Sequence, residues 1–431
     1  MDIVVAGAGA AGLAAALAAV ERGRQPWVLD PATRAGGKLG TDAVGGFVTE
    51  RAALGFVDRE GDLSRLCEKL GLAPIPASGA ARRRYVERDK RVFALPSGPG
   101  ELVGTGLLSG REKLLLLGEP VRPRGPPDAT VAGFFEGRLG PAGRFLGDAL
   151  QTGIYAGDPE RLEMASAFPH LFRLEQRHGS LVRGLLADRK GSRARLSSFR
   201  GGMQELVDAL VRPLAPGLRL SARLLAVRRA DAGFRLQVEE RGLLVDLRVP
   251  RLVLAMPAPQ AAAVLEPLDP ELSRLLKELR AAPIALAHFS LAPLDVGPVQ
   301  HGFGLLRPGR PVVGALFPAA LWPDRAPRDR VLLSALVGGA RHPEHARLED
   351  GELTRLVQTE LGLARLPDLL RVDRWPDAIP QYEPGHAARI AAIDGRVAAH
   401  PGLALAGSWY RGVGVLDCLR DGRGAVERLL S

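Results

Sequence analysis

The hydrophobic pattern at the N-terminus predicts a strand, a tight turn, a helix and a second strand. A short apolar run covers Asp2–Ala6, glycines follow it, and Leu13–Ala19 is rich in residues that favour helices. A second apolar run, Pro26–Leu29, ends at Asp30. This order is typical of the first half of a dinucleotide-binding βαβ unit.

The periodicity changes further along the chain. Arg82–Leu95 contains two β-rich runs around a charged turn, which predicts a hairpin. Residues 96–195 instead contain segments with a helical period, separated by Pro and Gly, and we interpret them as an all-helical insertion. Those segments are Leu102–Leu117, Val131–Leu139, Ala142–Leu150 and Ser180–Ala187.

The remaining hydrophobic runs predict two groups of strands. Arg219–Val253 alternates apolar and polar residues in three runs, which predicts a small antiparallel meander returning to the central sheet. A second sheet is predicted from Pro283–Ser290, Phe303–Leu306, Val312–Phe317 and Val331–Val337. The last predicted elements are a helix at Leu348–Leu361, a strand at Leu403–Leu405 and a closing helix at Asp421–Leu430. The fold class is therefore α/β.

Length and composition indicate the number of domains and the cellular compartment. The 431 residues predict two or three domains with ordinary cores. Two cysteines, Cys67 and Cys418, exclude a disulfide framework and favour a reducing compartment. We find no export signal and no apolar stretch of the ~20 residues that a spanning helix requires. We expect a cytoplasmic protein.

The charge balance leaves several partners open. There are 58 Lys+Arg residues against 48 Asp+Glu, a formal net charge of +10. Such an excess favours nucleic acid, an anionic membrane surface or an acidic ligand, or reflects composition alone. Neither zinc-ligand spacing nor an RNA-binding string is found, so we expect no nucleic acid partner and no metal site.

The glycine loop after the first strand carries the clearest chemistry. Gly7, Gly9 and Gly12 satisfy the G-x-G-x-x-G pattern between a predicted strand and a predicted helix. Such glycines allow a tight turn, approach of the backbone to a pyrophosphate, and close contact between helix and sheet. Asp30 lies where a carboxylate would accept hydrogen bonds from ribose hydroxyls. The sequence thus predicts a dinucleotide site.

The residues that follow identify the dinucleotide. Arg34, Gly36, Gly37 and Lys38 extend the glycine loop in a manner that resembles the FAD-binding amine oxidase superfamily. Five further blocks, in family order, are similar to the protoporphyrinogen oxidase family within it: Gly153–Leu162, Ala167–Ser180, Phe199–Leu210, Trp375–His386 and Pro401–Gly422. This resemblance covers essentially the whole chain.

The resemblance implies a three-part architecture. A discontinuous, Rossmann-like FAD domain would comprise residues 1–80, 199–265 and 375–431. A mixed-sheet substrate domain would comprise residues 81–95 and 266–374. An all-helical domain that associates with membranes would comprise residues 96–198.

The resemblance also implies an activity. The family oxidises protoporphyrinogen IX to protoporphyrin IX in haem biosynthesis, a six-electron reaction with hydride transfer to flavin N5 and oxygen or a quinone as acceptor. Bacterial relatives include coproporphyrinogen III oxidases, which is one alternative. A flavin- and porphyrin-binding paralogue without turnover is a second, and a generic amine oxidase with aromatic residues Trp409 and Tyr410 near the flavin is a third.

The resemblance also implies which residues of this chain bind substrate and FAD. For substrate, the resemblance implies that Arg84 binds a propionate and Phe303 stacks on the ring, with Ile284 or Leu286 on a neighbouring strand. For FAD, the implied positions are Gly7, Gly9, Ala10, Ala11, Gly12, Asp30, Arg34, Gly36, Gly37, Lys38, Ala52, Ala53, Leu54, Gly55, Leu224, Trp375, Gly407, Val413, Gly414 and Val415. No catalytic side chain is expected, since the flavin carries the chemistry.

The chain differs from many members of the similar family at three places. Ala52–Phe56, Ser408 and Leu416 replace residues that are polar in many relatives. Asp417 is expected to cap the helix that follows it, and the lone histidines His178 and His386 are expected to be structural. The expected partners are the tetrapyrrole, oxygen or a quinone, the inner face of the cell membrane, ferrochelatase and a second copy of the chain.

Overall fold

The protein, studied as a computed structural model, is described for residues 2–58, 60–96, 99–188 and 195–430. Its strands are β1 Ile3–Ala6, β2 Pro26–Asp30, β3 Thr41–Val44, β4 Phe47–Glu50, β5 Phe56–Val57, β6 Ile75–Pro76, β7 Arg84–Arg88, β8 Arg91–Ala94, β9 Leu196–Ser198, β10 Leu218–Leu220, β11 Ala222–Ala230, β12 Gly233–Glu240, β13 Leu243–Val249, β14 Arg251–Leu254, β15 Arg280–Leu291, β16 Gly304–Leu306, β17 Val312–Leu316, β18 Val331–Gly338, β19 Asp368–Gln381 and β20 Leu403–Leu405. Its helices are α1 Ala10–Val20, α2 Asp62–Leu70, α3 Pro99–Gly104, α4 Gly110–Leu117, α5 Val131–Leu139, α6 Pro141–Tyr155, α7 Met164–Ala167, α8 Pro169–His178, α9 Leu181–Ala187, α10 Gln204–Val211, α11 Ala258–Leu265, α12 Pro270–Lys277, α13 Pro318–Leu321, α14 Asp350–Leu361, α15 His386–Ala398 and α16 Val415–Leu430.

Strand β1, which precedes the glycine loop, belongs to a five-stranded parallel sheet. The strand order of this sheet is β10-β2-β1-β14-β20. Ile3 and Val5 of β1 pack into a core shared with α1, α10 and α16. Val4 and Ala6 pack on the opposite face, in a core shared with the meander and α11. Both faces are covered, which explains why β1 is continuously apolar rather than alternating.

The predicted meander is present as β11-β12-β13, paired antiparallel. The first and third predicted runs each divide into two strands, because β10 and β14 join the parallel sheet. The meander therefore connects directly with that sheet, as predicted.

A seven-stranded mixed sheet, β19-β15-β18-β17-β16-β7-β8, contains the predicted hairpin and the four later strands. All its neighbouring strands are antiparallel except β16 and β7. Strand β19, which the sequence did not predict, runs unbroken through Trp375. The predicted domain boundary at residue 375 lies inside this strand, and the three-domain division remains a prediction.

The predicted helical insertion is helical in its described part, from α3 to α9. The single helical stretch expected at Leu102–Leu117 is wrong, because α3 ends at Gly104 and α4 begins at Gly110. Ser109 accepts a hydrogen bond from the Glu112 N–H, while the Glu112 carboxylate accepts one from the Ser109 N–H at 2.7 Å. This capping box starts a new helix, and S-x-x-E is its sequence signature.

The closing helix begins at Val415, six residues earlier than the predicted Asp421. Asp417 was expected to precede the helix but is its third residue. Its carboxylate accepts a hydrogen bond from the Gly414 N–H at 3.1 Å, so it caps the helix from within the first turn. Among the described residues, no helix combines the length and the hydropathy needed to cross a membrane.

Candidate functional site

The three glycines of the N-terminal loop have different surroundings. A Cβ atom on Gly7 would lie 2.3 Å from the Ala255 carbonyl oxygen, and one on Gly12 would lie 1.8 Å from the Gly7 carbonyl oxygen. A Cβ atom on Gly9 would meet nothing within 4 Å. Gly7 and Gly12 are therefore required by packing, whereas Gly9 leaves open space where the helix α1 begins.

That open space suits a phosphate group. Gly9 is the N-cap of α1 and has no side chain with which to satisfy the first N–H groups, which belong to Ala10, Ala11 and Gly12. Free N–H groups at a helix N-terminus attract anions. The predicted positions in this loop thus fit a dinucleotide pyrophosphate.

Asp30 lies at the end of β2, beside the glycine loop. Its carboxylate accepts hydrogen bonds from the Ala8 N–H at 2.7 Å and from the Ala32 N–H at 2.9 Å. Each oxygen retains a second lone pair. Asp30 can therefore orient the loop and still accept from a ribose hydroxyl.

The Arg34–Lys38 segment is attached to the same loop. The Gly36 N–H donates to the Ala8 carbonyl at 2.8 Å, and Gly36 adopts a φ of 115° that favours glycine. Gly37 also has a positive φ, 55°. The Arg34 guanidinium pairs with Asp42 at 3.1 Å.

Lys38 is a half-buried cation whose ammonium group contacts the backbone of β19. Its ammonium group donates to the carbonyl oxygens of Asp377 and Ala378, at 2.8 and 2.5 Å, and lies 5.9 Å from the Trp375 ring centroid. Burial lowers the Lys38 pKa from 10.5 to about 8, against the attraction of Cys418 and Asp377. Lys38 therefore changes charge just above neutral pH.

The segment containing Ala52, Ala53, Leu54 and Gly55 lies between Lys38 and Trp375. The Ala53 N–H donates to the Lys38 carbonyl at 3.2 Å. The Trp375 indole N–H donates to the Arg51 carbonyl at 2.9 Å. Backbone groups of Ala53 and of Arg51, which precedes the segment, thus connect this part of the chain with Lys38 and Trp375.

The C-terminal loop is held close to the start of α1. A Cβ atom on Gly422 would lie 2.0 Å from the Ala11 carbonyl oxygen, so the absence of a side chain lets α16 approach α1. The Gly407 N–H donates to Asp421 at 2.8 Å, and a Cβ on Gly407 would meet nothing within 4 Å. The loop that carries Val413, Gly414 and Val415 therefore lies near the helix N-terminus predicted for FAD.

Sequence reasoning missed the residue that shapes this loop, Tyr382. Its hydroxyl donates to the Ser408 carbonyl at 2.6 Å and accepts from the Gly412 N–H at 2.8 Å. The His386 ring stacks on the Tyr382 ring with centroids 4.0 Å apart, and the His386 Nε2 contacts the Tyr410 carbonyl at 3.2 Å. The expected structural role of His386 agrees with this geometry. Both residues lie in the Trp375–His386 block.

Leu224 is placed differently from the other predicted FAD residues. Its side chain is buried in the core with Leu29 and Val4. The pairing of β11 with β12 shifts register between Leu224 and Ala226. Any contact of Leu224 with a ligand must therefore use its backbone at this bulge.

Arg84 and Phe303 meet on adjacent parallel strands. Gly304 pairs with Arg84, and the Phe303 N–H donates to the Arg83 carbonyl at 2.7 Å. The Arg84 guanidinium carbon lies 5.0 Å from the Phe303 ring centroid, a cation–π distance. Within the described part of the chain Arg84 forms no ion pair, so its exposed guanidinium is available to an anion.

Ile284 and Leu286 lie on one face of β15, opposite the face whose Ala285, Ala287 and Phe289 form the core under α14. Trp375 pairs with Ile284, and such cross-strand partners share a face. Ala156, at the end of α6, packs against Ile284. Both predicted aliphatics thus face α6 and Trp375, and this settles which side of the strand they occupy.

Arg84 and Ile284 lie far apart on the same face of the sheet. Strand β7 with Arg84 lies four strand spacings from β15 with Ile284, about 19 Å at the usual ~4.8 Å spacing. Part of the face between them is covered, because Leu306 packs against α6 and the His288 ring contacts the Glu50 carbonyl. A substrate can therefore contact this face only outside the covered positions.

A buried polar layer connects this sheet with the β3–β4 hairpin. The His288 ring contacts the Ser334 hydroxyl at 2.9 Å and the Glu50 carbonyl at 3.1 Å. The Glu50 carboxylate accepts from the Met203 N–H at 3.2 Å and pairs with Arg325 at 3.3 Å. Burial raises the Glu50 pKa to about 7 and lowers the His288 pKa to about 4. The sequence pattern had identified none of these polar residues.

Comparisons with known proteins decide the family. The sequence model described as flavin containing amine oxidoreductase matches residues 10–430. This chain belongs to that family. It is an FAD-dependent oxidoreductase with the amine-oxidase-like fold that was predicted.

Three relatives of the flavin containing amine oxidoreductase family illustrate the similarity. Mitochondrial protoporphyrinogen oxidase of Nicotiana tabacum is 28% identical over 100% of this chain and 94% of its own length. Coproporphyrinogen III oxidase of Bacillus subtilis is 26% identical over 100% of this chain and 98% of its own length. A solved structure from Exiguobacterium sp. 255-15, described as that of a candidate protoporphyrinogen oxidase, has a TM-score of 0.85 and 26% identity, covering 99% and 98% of the two chains.

Within this family, the two aromatic residues of the C-terminal block are not available to a substrate. Trp409 and Tyr410 are buried and pack in the core with Ile393. They therefore do not form an aromatic cage beside the flavin. The hypothesis of a generic amine oxidase depended on these two residues and therefore loses its support.

Proposed function

We propose that this flavoenzyme oxidises a porphyrinogen in haem biosynthesis and prefers protoporphyrinogen IX. The observation that carries the proposal is the placing of Arg84 over Phe303 on the same sheet face as the aliphatic side chains Ile284 and Leu286, with Trp375 beside Ile284. A porphyrinogen is largely apolar and carries propionates at one edge. A cation over an aromatic ring, together with separate apolar side chains, is complementary to it.

Each side chain has a role that follows from its chemistry. The Arg84 fork can bind a propionate with two parallel charge-assisted hydrogen bonds. The Phe303 ring offers a face to a pyrrole and limits the motion of the guanidinium above it. Ile284 and Leu286 exclude water from the part of the face that lies beside α6.

FAD supplies, when bound, a two-electron acceptor at N5, so three rounds account for six electrons, with oxygen or a quinone as final acceptor. Gly9 and the first turn of α1 would hold its pyrophosphate, Asp30 a ribose, and the loop around Gly414 the flavin. Lys38 lies 5.9 Å from the Trp375 ring centroid, and Trp375 pairs with Ile284 on the proposed substrate face. The hydrogen bonds of Lys38 and Trp375 hold the backbone segments that would orient FAD and the porphyrinogen relative to each other.

Coproporphyrinogen III is the second candidate substrate, because one of the relatives above is named for it. Its four propionates would require more cations than Arg84 alone. Arg82 and Arg83 are exposed beside Arg84 and could contribute. Arg51 is already paired with Asp42 at 2.7 Å, which favours the substrate with fewer propionates. Arg59 lies outside the described residues.

Steady-state kinetics with both porphyrinogens test this choice. We expect a higher kcat/KM for protoporphyrinogen IX, with three O2 consumed per porphyrin if oxygen is the acceptor. A higher kcat/KM for the tetra-acid would overturn the preference. Purification without flavin absorbance, together with porphyrin binding, would instead support a carrier without turnover.

We further propose that the helical insertion contacts an anionic membrane surface. Three described side chains at α4, the following turn and α9 are strongly exposed although apolar: Leu117 at 77%, Val121 at 84% and Leu186 at 71%. Glu119 joins these segments, because its buried carboxylate accepts from the Leu181 N–H at 2.8 Å and pairs with Arg138. Apolar side chains beside basic residues are typical of peripheral membrane surfaces.

Liposome co-sedimentation tests this surface. We expect binding that weakens with salt and without anionic lipid, and that is lost in Leu117→Glu and Leu186→Glu. Leu294→Glu is the matched control, since Leu294 is 98% exposed but lies outside the insertion. Unchanged binding in all three variants would contradict the proposal. Ferrochelatase, which would receive the product, is the expected protein partner at that surface.

A further inference from the structure

A short turn after β18 brings three metal-ligating side chains together. His342, Glu344 and His345 each direct one donor atom into a space in which all three atoms lie within 4.8 Å of one another. The His342 Nδ1 lies 3.9 Å and the His345 Nδ1 lies 2.8 Å from the same Glu344 oxygen. The turn is distant in sequence from every residue assigned above to FAD or substrate.

Hydrogen bonding sets the tautomer of one ligand. The His342 Nε2 lies 3.0 Å from the Gly309 carbonyl oxygen, which can only accept, so Nε2 carries the proton. The lone pair of His342 is then on Nδ1, the atom that faces Glu344. A backbone carbonyl that receives the second ring N–H is the usual support of a metal-binding histidine.

The second histidine directs a buried ring nitrogen at the same carboxylate. The His345 Nδ1 is buried and contacts a Glu344 oxygen at 2.8 Å, although the contact is poorly aligned for a hydrogen bond. The two imidazole rings are edge to face with centroids 5.7 Å apart. The ring nitrogens thus converge on the same side of the turn as the carboxylate.

The separations suit a tetrahedral ion. Zinc bonds of roughly 2.0–2.1 Å to nitrogen and oxygen require ligand atoms roughly 3.3 Å apart. The observed 2.8 and 3.9 Å lie on either side of this value. All three ligand atoms lie within 4.8 Å of one another, so side-chain rotations would have to bring them to this separation to close a His2Glu site.

We propose that His342, Glu344 and His345 bind one divalent transition-metal ion, of which Zn2+ is the best match, with water in the fourth position. The turn is anchored on its N-terminal side, since the Ala340 N–H donates to the Ala156 carbonyl at 2.8 Å and Arg341 pairs with Asp148 at 2.7 Å. The ion stiffens the junction between the seven-stranded sheet and α6. Its binding does not depend on the reaction proposed above.

Calorimetric titration of Zn2+ into the chelator-treated, untagged holoprotein tests the site. We expect one equivalent bound with micromolar or tighter affinity, and a d–d absorption band when Co2+ replaces Zn2+. His345→Ala and His342→Ala should weaken binding by more than about tenfold. Glu344→Gln, at an exposed side chain, keeps the test valid if a histidine variant does not fold.

His170→Ala is the matched control, because His170 contacts the Asp188 carboxylate at 2.7 Å but belongs to no such cluster of three among the described residues. It should bind Zn2+ like the parent. Absence of binding in the parent, or binding that survives in the three cluster variants, overturns the proposal. Neither result bears on porphyrinogen oxidation.

Discussion

The Arg84 guanidinium carbon lies 5.0 Å from the centre of the Phe303 ring, across adjacent parallel strands. We expect Arg84→Met to raise KM for the porphyrinogen by about tenfold to a hundredfold, since a hydrogen bond to a charged group contributes ~1.5–3 kcal/mol. The kcat should change little, because the propionate is remote from the reacting carbon. Steady-state kinetics followed by porphyrin fluorescence measure both constants.

The matched control for Arg84 is its neighbour. Arg83→Met removes a neighbouring exposed guanidinium that is not over Phe303. Its KM should rise by much less. Equal effects of the two substitutions would show that general basic charge, and not the Arg84 position, binds the substrate.

Lys38 should give FAD binding a pH dependence. Its folded pKa of about 8 means that the ammonium charge is present at pH 7 and is lost as pH rises through 8. FAD carries an anionic pyrophosphate, so the dissociation constant of the apoprotein for FAD should increase above pH 8. Lys38→Gln should bind FAD weakly with no such rise.

Flavin fluorescence quenching measures this dissociation constant across the pH range. Lys69→Gln is the control, because Lys69 is an exposed residue of α2. It should keep the parental profile. A profile in Lys38→Gln that still rises above pH 8 would assign the effect to another group.

Gly9 and Gly7 should respond differently to alanine. Gly9→Ala places its methyl group in open space at an ordinary negative φ, so the apoprotein should keep its Tm but lose FAD. Gly7→Ala collides with the Ala255 carbonyl and requires a φ of 115°, so it should not fold. Calorimetry of the apoproteins and flavin absorbance measure the two effects. A Gly9→Ala protein with full flavin content would contradict the assigned pyrophosphate position.

His288 should make folding sensitive to acid. Its pKa is lowered from 6.5 to about 4 by burial, so between these values the unfolded chain binds a proton that the folded protein does not. Stability is therefore present above pH 6.5 and falls as pH drops towards 4, by on the order of 3 kcal/mol. Urea unfolding at several pH values measures the slope.

Glu50 opposes this slope with a shift of similar size, because its pKa is raised from 4.5 to about 7 and its burial destabilises the fold as pH rises through that range. The net slope of the parent between pH 4.5 and 6.5 should therefore be small. Comparison with His288→Asn isolates the histidine, since the variant should lose only the acid-induced decrease. His301→Asn, at an exposed histidine, should retain it. Identical slopes in the parent and His288→Asn would refute the account of this layer.

Local signals predicted the FAD side of the molecule well. The glycine loop, Asp30 and the strands around them depend on short-range rules about turns and periodicity, and the fold places them as expected. The break between α3 and α4 has a local signal, because Ser109 and Glu112 have capping-box spacing. The prediction missed this signal because the surrounding leucines follow one continuous helical period.

Contacts between residues distant in the sequence could not be predicted from local patterns. Trp375 faces Ile284 only because β19 pairs with β15, and no local pattern in Asp368–Gln381 specifies that partner. Tyr382 and Glu50 likewise bind backbone groups that are distant in sequence. Such residues look like ordinary polar or aromatic positions until the chain is folded.

The most direct test of the central claim is an anaerobic single turnover of the holoprotein with protoporphyrinogen IX. The account predicts that the visible absorbance of the oxidised flavin is lost as one equivalent of substrate is consumed, and that it returns when oxygen is admitted. A flavin that stays oxidised in the presence of excess porphyrinogen would contradict it.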